Sequence, residues 1–278
     1  MTYSLSQLII YPIKSIHGIA LQTSQVNEAG LLGDRRYMLV TPDGDFITGR
    51  EHPTLTLIKA KQLDNNSWVL SHPSTDTELT INQAHLSDEH KGVVIWEEHL
   101  QGQVAKSEVN AWFSSIVDKP VELVFFGDKS ERFTSRKPDA PVAFADGYPF
   151  LLTTQASLDE LNETCPEDIK MAQFRPNLVI EGNKAFEEDS WKRIKIGEVE
   201  FENVKPCERC IFITLNPETA ERLKKGEPLK ALGKFRTRKG QGIHFGINLV
   251  ALNSGVINLN DKVEILEYQE FEPYRDRR

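Results

Sequence analysis

Over its first hundred residues the chain alternates apolar and polar positions in short runs separated by turn residues. Runs at Gln7–Tyr11, Ile19–Val26, Arg36–Thr41, Phe46–Thr48, Thr56–Leu63, Trp68–Ser71, Glu78–Ile81 and Gly92–Trp96 predict the strands of an antiparallel β unit. Asp43-Gly44 is a hairpin signal, and Asn65-Asn66 tolerates the left-handed backbone of a second turn. The period changes at Glu108–Val117, where Val109, Trp112, Phe113 and Ile116 fall on one helical face and Pro120 stops the helix before a strand at Val121–Phe126. Gly127–Pro141 is polar, carries two prolines and predicts a long exposed loop.

A second unit opens with a strand at Phe150–Thr153, and Thr154 caps a helix over Gln155–Glu163. Phe174–Glu181 predicts a strand entered through Arg175-Pro176. Arg193–Phe201 predicts a hairpin about Gly197, Ile211–Leu215 a buried β run, and Asn248–Leu252 with Lys262–Leu266 a final strand pair. The charged tail Phe271–Arg278 is expected to fray. These elements describe an α/β protein, predominantly β: an N-terminal antiparallel β unit over residues 1–100, a linking helix over 101–120, a β-barrel-like core with a few helices over 121–270, and a tail over 271–278. The cleft between the two units is the expected ligand site.

Composition narrows the class. At 278 residues with 39% hydrophobic and 27% charged positions, the chain can bury a sizeable core. No apolar run approaches a membrane span, and the N-terminus lacks the features of a signal peptide, so a soluble cytoplasmic protein starting at Met1 is expected. A net charge of -8 argues against nucleic acid as the main partner. Three cysteines give no disulfide framework and fit a reducing compartment.

Two of those cysteines, Cys207 and Cys210, sit three apart in VKPCERCIF, with Arg209 between them to favour a thiolate. Zinc would need more ligands than Cys165, His17 or His244 supply by spacing, and a thioredoxin-type dithiol would need a helix after the pair. Two small cysteines packed by a sheet are the plainest alternative. Three other pieces carry matching chemistry: YPIKS with Lys14 and Ser15, GDRR with Arg35, and Arg175-Pro176-Asn177. Arginine and lysine supply donors for phosphate and pterin edges, and a thiolate suits a soft, high-valent metal.

YPIKS, GDRRYMLV, FRPNLVIEG followed by AFEEDSW, and PCERCIFITLNPETA, in that order, resemble the molybdenum cofactor sulfurase C-terminal (MOSC) family. Within it they are similar to the branch with an N-terminal β domain that includes the mitochondrial amidoxime reducing component. The resemblance implies that Cys210 ligates molybdenum in a molybdopterin cofactor and that Cys207 is a neighbour. It implies that Lys14, Ser15, Arg35, Arg175, Asn177 and Arg209 hold the cofactor, and that Asp146 lies on the metal side with a catalytic role. It further implies an oxidoreductase, with a role in detoxification, that reduces small N-hydroxylated compounds; descriptions of the family extend to pyridoxal phosphate binding. The other reading it allows is a cofactor or sulfur carrier without turnover. Glu208 stands where relatives carry a small hydroxyl residue, and Asn248 where one has tyrosine. Some bacterial relatives append a ferredoxin domain, but no Cys-x4-Cys-x2-Cys run occurs here, so an external flavin or iron–sulfur reductase is expected.

Overall fold

A computed structural model describes residues 3–64, 67–182, 184–238 and 240–278. The expected Asn65-Asn66 turn lies outside the described residues. The largest sheet runs in the order Leu178–Glu181, Phe150–Thr154, His244–Ala251, Val199–Glu208, Trp191–Ile196, Lys262–Tyr268, Tyr3–Ile10 and Ile19–Ala20. Tyr3–Ile10 also pairs antiparallel with Leu178–Glu181, which closes all but the last of these strands into a barrel. Every second side chain points inward. Leu8, Ile10, Phe150, Leu152, Leu178, Ile180, Phe201, Ile247 and Leu249 fill the interior and are essentially inaccessible to solvent. The first strand of the chain is thus built into the same barrel as the last.

Beside the barrel, Tyr37–Val40, Glu122–Phe125, Glu98–Ala105 and Leu86–Ile95 form an antiparallel sheet over Met38, Val93, Ile95, Val124 and Phe144. The hairpin at Asp43-Gly44 forms, with Gly44 in the left-handed region at φ 95° and its N–H bonded to Thr41 O. Helix Ser107–Val117 buries Val109, Trp112, Phe113 and Ile116, the stripe its sequence period demands. Helix Gln155–Thr164 is capped by Thr154, whose side chain accepts from Ser157 N at 3.2 Å. Among the described residues no helix is long and apolar enough to cross a membrane.

Several local expectations are corrected. Ile211–Thr214 is a 3-10 turn, not a strand: Thr214 Oγ1 bonds back to Ile211 O, and the chain must turn to bury Ile213 and Leu215 while Ile211 stays exposed. Arg175 is not in a strand, which begins at Leu178. Asn248–Leu252 and Lys262–Leu266 are not partners; their strands flank the Gly197 hairpin on opposite sides. The 127–141 loop is not simply exposed, since Arg132 and Thr134 are buried. Nor is the tail loose. Arg275 N bonds Thr237 O and Arg277 N bonds Lys234 O, while Tyr274 packs over Arg236 and Arg238 with ring distances of 3.7 and 4.3 Å.

Candidate cofactor cavity

Leu8, Leu178 and Leu152 share one level of the barrel, with the first strand running opposite to the other two. The segments carrying Lys14, Arg175 with Asn177, and Asp146 therefore leave from the same rim. Arg35 joins them through the turn before Tyr37–Val40, where Lys14 N bonds Tyr37 O and Arg35 N bonds Tyr11 O. Cys207 lies at the end of strand Val199–Glu208, and Cys210 caps the 3-10 turn beyond it. These segments enclose a cavity of about 570 Å³ whose walls include Lys14, Ser15, Arg35, Asp146, Arg175, Asn177, Arg209 and Cys210, residues drawn from five separate stretches of sequence. Lys205, Asn248 and Leu151 line it from one row across three neighbouring strands.

The cavity is cationic in a chain that is acidic as a whole. Lys14, Arg35, Arg50, Arg175, Lys205 and Arg209 line it against two carboxylates, Asp146 and Glu208. Lys14 is buried, pairs with Asp146 and donates to Phe144 O at 3.1 Å; burial pushes its ammonium below its ordinary value, against the pull of Asp146. Asp146 is 68% exposed to the cavity. Dense surroundings work against its charge, but Lys14, Arg50 and Arg35 outweigh them and hold the carboxyl well below the usual carboxylate range. It is therefore an anion and a hydrogen-bond acceptor at neutral pH.

Arg35 makes a two-oxygen pair with Asp34 at 2.7 and 3.0 Å and reaches Asn177 Oδ1 at 3.0 Å and Arg175 O at 3.1 Å. Burial pushes the Asp34 carboxyl up, while Arg35 and the Tyr11 N–H at 2.8 Å pull it back. The Tyr11 ring lies against Arg35 at 4.2 Å and Arg175 at 4.0 Å, and burial lowers Arg175 to about 10, still cationic at neutral pH. Asn177 faces the cavity, but its amide is spent on Arg35, Leu151 N and Ile9 O, so it positions neighbours. Ser15, Arg35 and Arg175 all have positive φ, at 76°, 45° and 57°. Three strained backbones in one wall mark a site whose geometry is held by its surroundings. Gly49 is required there, because a Cβ would lie 2.6 Å from the Phe212 ring while its N–H donates to Ser15 Oγ at 2.9 Å.

The two cysteines differ. Cys207 is half-buried, and Arg209 Nη1 approaches its sulfur at 3.0 Å; Cys210 is exposed and its thiol makes no hydrogen bond among the described residues. Arg209 Nε is buried without a partner among the described residues, an unspent donor in the cavity wall. Glu208 packs its carboxylate against Gly242, where a Cβ would fall 2.0 Å from Oε1. Among the described residues no three of His, Cys, Asp and Glu gather as a metal shell, so a metal at Cys210 would take its other ligands from a cofactor.

Residues without a sequence signal complete the site. Arg132 is buried in the loop and donates to Ala143 O, Ala145 O and Asp146 O at 2.9, 2.5 and 3.0 Å, with Glu98 Oε2 at 2.6 Å as its counter-charge. It fixes the segment that carries Asp146. Arg50, under Trp96 at 4.3 Å, and Lys205 add charge at the mouth. A strand lysine and a loop arginine are indistinguishable from solvated charges until the fold places them.

Residues 2–120 match the MOSC N-terminal beta barrel domain and residues 139–264 the MOSC domain. The mitochondrial amidoxime-reducing component 1 of Danio rerio is 33% identical over 83% of this chain and 74% of its own length. The Homo sapiens protein of that name is 32% identical over 95% and 83%. A molybdenum cofactor sulfurase of Oryza sativa subsp. japonica is 29% identical over 88% of this chain and 32% of its own. The chain belongs to the MOSC family, among the two-domain members that include the amidoxime-reducing components.

Proposed function

We propose that this chain is a molybdenum-cofactor oxidoreductase that removes oxygen from small N-hydroxylated compounds such as amidoximes, hydroxylamines and N-hydroxylated bases. The observation that carries the reading is the cavity itself: six cations and one exposed thiol converge there in a protein of net charge -8, a donor set suited to an anionic cofactor bearing a soft metal. The orphan Nε of Arg209 supports the fit. Lys14, Ser15, Arg35, Arg175 and Arg209 would hold the pterin and its phosphate, and Cys210 would be the protein's metal ligand. When bound, the cofactor supplies two-electron oxygen-atom chemistry.

The overall change is R–NHOH + 2 e⁻ + 2 H⁺ → R–NH₂ + H₂O. Asp146, held ionised, orients the substrate by accepting its N–H or O–H, and Arg132 holds Asp146 in place. The protons enter from solvent through the open mouth, because a carboxyl held so far below the usual range is a poor acid at neutral pH. Electrons come from a flavin or iron–sulfur reductase; the three cysteines of these 278 residues do not make up a four-thiolate cluster. We place the protein in a reducing compartment, the cytoplasm, though its amidoxime-reducing relatives carry mitochondrial names.

A carrier of cofactor or sulfur is the second reading, favoured by the sulfurase relative. Protein made in a molybdenum-replete host, given a small chemical reductant and benzamidoxime, separates the two. Benzamidine formation with one molybdenum per chain supports the enzyme; bound metal without turnover supports the carrier, and cofactor-free protein from a replete host would overturn both.

A further inference from the structure

Seven buried side-chain nitrogen or oxygen atoms lack a hydrogen-bond partner among the described residues, and four of them lie together: Arg238 Nε and Nη2, His244 Nδ1 and Tyr274 OH. Arg238 is 8% exposed, and its guanidinium makes neither a hydrogen bond nor an ion pair among the described residues. Its guanidinium lies 4.3 Å from the Tyr274 ring centre and 5.9 Å from that of Phe271, and the His244 ring is 5.8 Å from Tyr274. None of these residues lines the large cavity, although His244 pairs across the sheet with Glu208.

A buried cation without counter-charge is costly, and two unspent polar groups beside it, His244 Nδ1 and Tyr274 OH, compound the cost. The neighbouring charges do not relieve it. Asp189 is committed to Arg236 through two bonds of 2.7 and 3.0 Å, Glu188 bonds Thr154 and Ser157, and Glu272 takes a bond from Gln241. We propose that Arg238, His244 and Tyr274 form a binding site for a small oxyanion of the phosphate or sulfate class, covered by the C-terminal segment Phe271–Tyr274. Arg238 supplies charge and N–H donors, His244 Nδ1–H and Tyr274 OH two more, and the tail, tied down at Thr237 and Lys234, forms the lid of the site. Burial and the cations Arg238, Arg236 and Lys205 depress His244 to about 4, so it is neutral at pH 7 until an anion offsets them. The site is independent of the proposed reaction.

The test uses the full chain as purified, and Arg238→Met, which leaves the walls of the large cavity unchanged, separates phosphate bound here from phosphate bound there. His244 ring signals, assigned by their loss in His244→Asn, are followed by NMR while sodium phosphate, then sodium sulfate, replaces chloride at constant ionic strength. A saturable shift in wild type and an affinity roughly tenfold to a hundredfold weaker in Arg238→Met are expected, the loss of charge-assisted hydrogen bonds. Thermal midpoints give a second, crossing readout: Arg238→Met should melt above wild type in chloride, where the bare charge is a burden, and below it in saturating phosphate. If Arg238→Met fails to fold, Tyr274→Phe, which keeps the ring and removes one donor, should bind phosphate severalfold more weakly. No shift beyond that in chloride, or equal shifts in wild type and variants, would show that water alone serves these atoms and would overturn the site.

Discussion

Arg35 and Lys14 face the same cavity, yet replacing each by alanine should have very different effects on the cofactor-free chain. Asp34 is 4% exposed and is held by Arg35 at 2.7 and 3.0 Å and by one backbone N–H at 2.8 Å. Arg35→Ala strands that carboxylate, and breaking a buried pair from one side costs about 3–5 kcal/mol. In a chain of this size the midpoint should fall by on the order of 10 °C. Lys14 has a partner that is 68% exposed, so water takes the place of its ammonium beside Asp146, and Lys14→Ala should cost only the bond to Phe144 O, about 1–2 kcal/mol. Thermal and urea unfolding of the cofactor-free proteins measure both. Asp34→Asn combined with Arg35→Ala should recover part of the loss by removing the stranded charge. The pH dependence has a definite sign: without Arg35 the folded-state value of Asp34 rises further above its unfolded value. The folded variant then binds a proton more tightly than its unfolded chain, so its deficit narrows as pH falls and is widest at neutral pH and above. Equal midpoints for the two single variants, or a double variant no better than Arg35→Ala, would refute the buried-pair argument.

Cys210→Ser should abolish turnover and lower molybdenum content with an unchanged midpoint, while Cys207→Ser should be milder; equal losses in metal analysis would argue against a single thiolate ligand. Glu188, buried beside Asp189, is pushed up to about 7. Its stabilisation is full below the unfolded carboxyl value and lost as pH rises through about 7, so Glu188→Gln should gain stability over wild type at pH 8 and not at pH 5, read by thermal unfolding. Arg132→Met should lower kcat with substrate while leaving molybdenum content intact, because it loosens the Asp146 segment without touching the cation set; metal loss equal to the activity loss would contradict this. Exposed Lys224, Lys225, Lys230 and Lys234 could steer an acidic reductase, and reversing their charge should slow reductase-driven turnover at low salt only; an effect that does not fade with salt would rule steering out. Arg236 takes no part in that face, since it is buried in its pair with Asp189.

The sequence was legible where chemistry and period are local. The stripe of Val109, Trp112, Phe113 and Ile116, the Thr154 cap, and the turns at Gly44 and Gly197 follow from spacing over a few residues, and the structure forms each of them. The four motifs that carry Lys14, Arg35, Arg175 and Cys210 could be read as anion and thiolate chemistry, and the barrel rim brings them into one cavity. What spacing could not show is which cation is a donor to a ligand and which is already spent. Arg35 reads in sequence as a cofactor contact, but it also braces the buried Asp34; Asn177 looks like a pocket contact, but its amide is spent on Arg35, Leu151 and Ile9.

The same limit explains the loop and the tail. Arg132 sits among Ser130, Glu131 and Thr134, a polar run that locally predicts solvent, and only carbonyls 11 to 14 residues away, with Glu98 from another strand, make its burial tolerable. Tyr274 sits within a charged tail that locally predicts fraying, but its ring lies over two arginines some 40 residues back, 3.7 and 4.3 Å away, and that contact outweighs the local tendency. Of those two, Arg236 has a carboxylate 47 residues upstream and Arg238 has none among the described residues. The two stand one residue apart in Arg236-Thr237-Arg238 and are equivalent to any local rule. Long-range pairing alone separates a structural ion pair from an unsatisfied charge, and the unsatisfied one is where a ligand is to be sought.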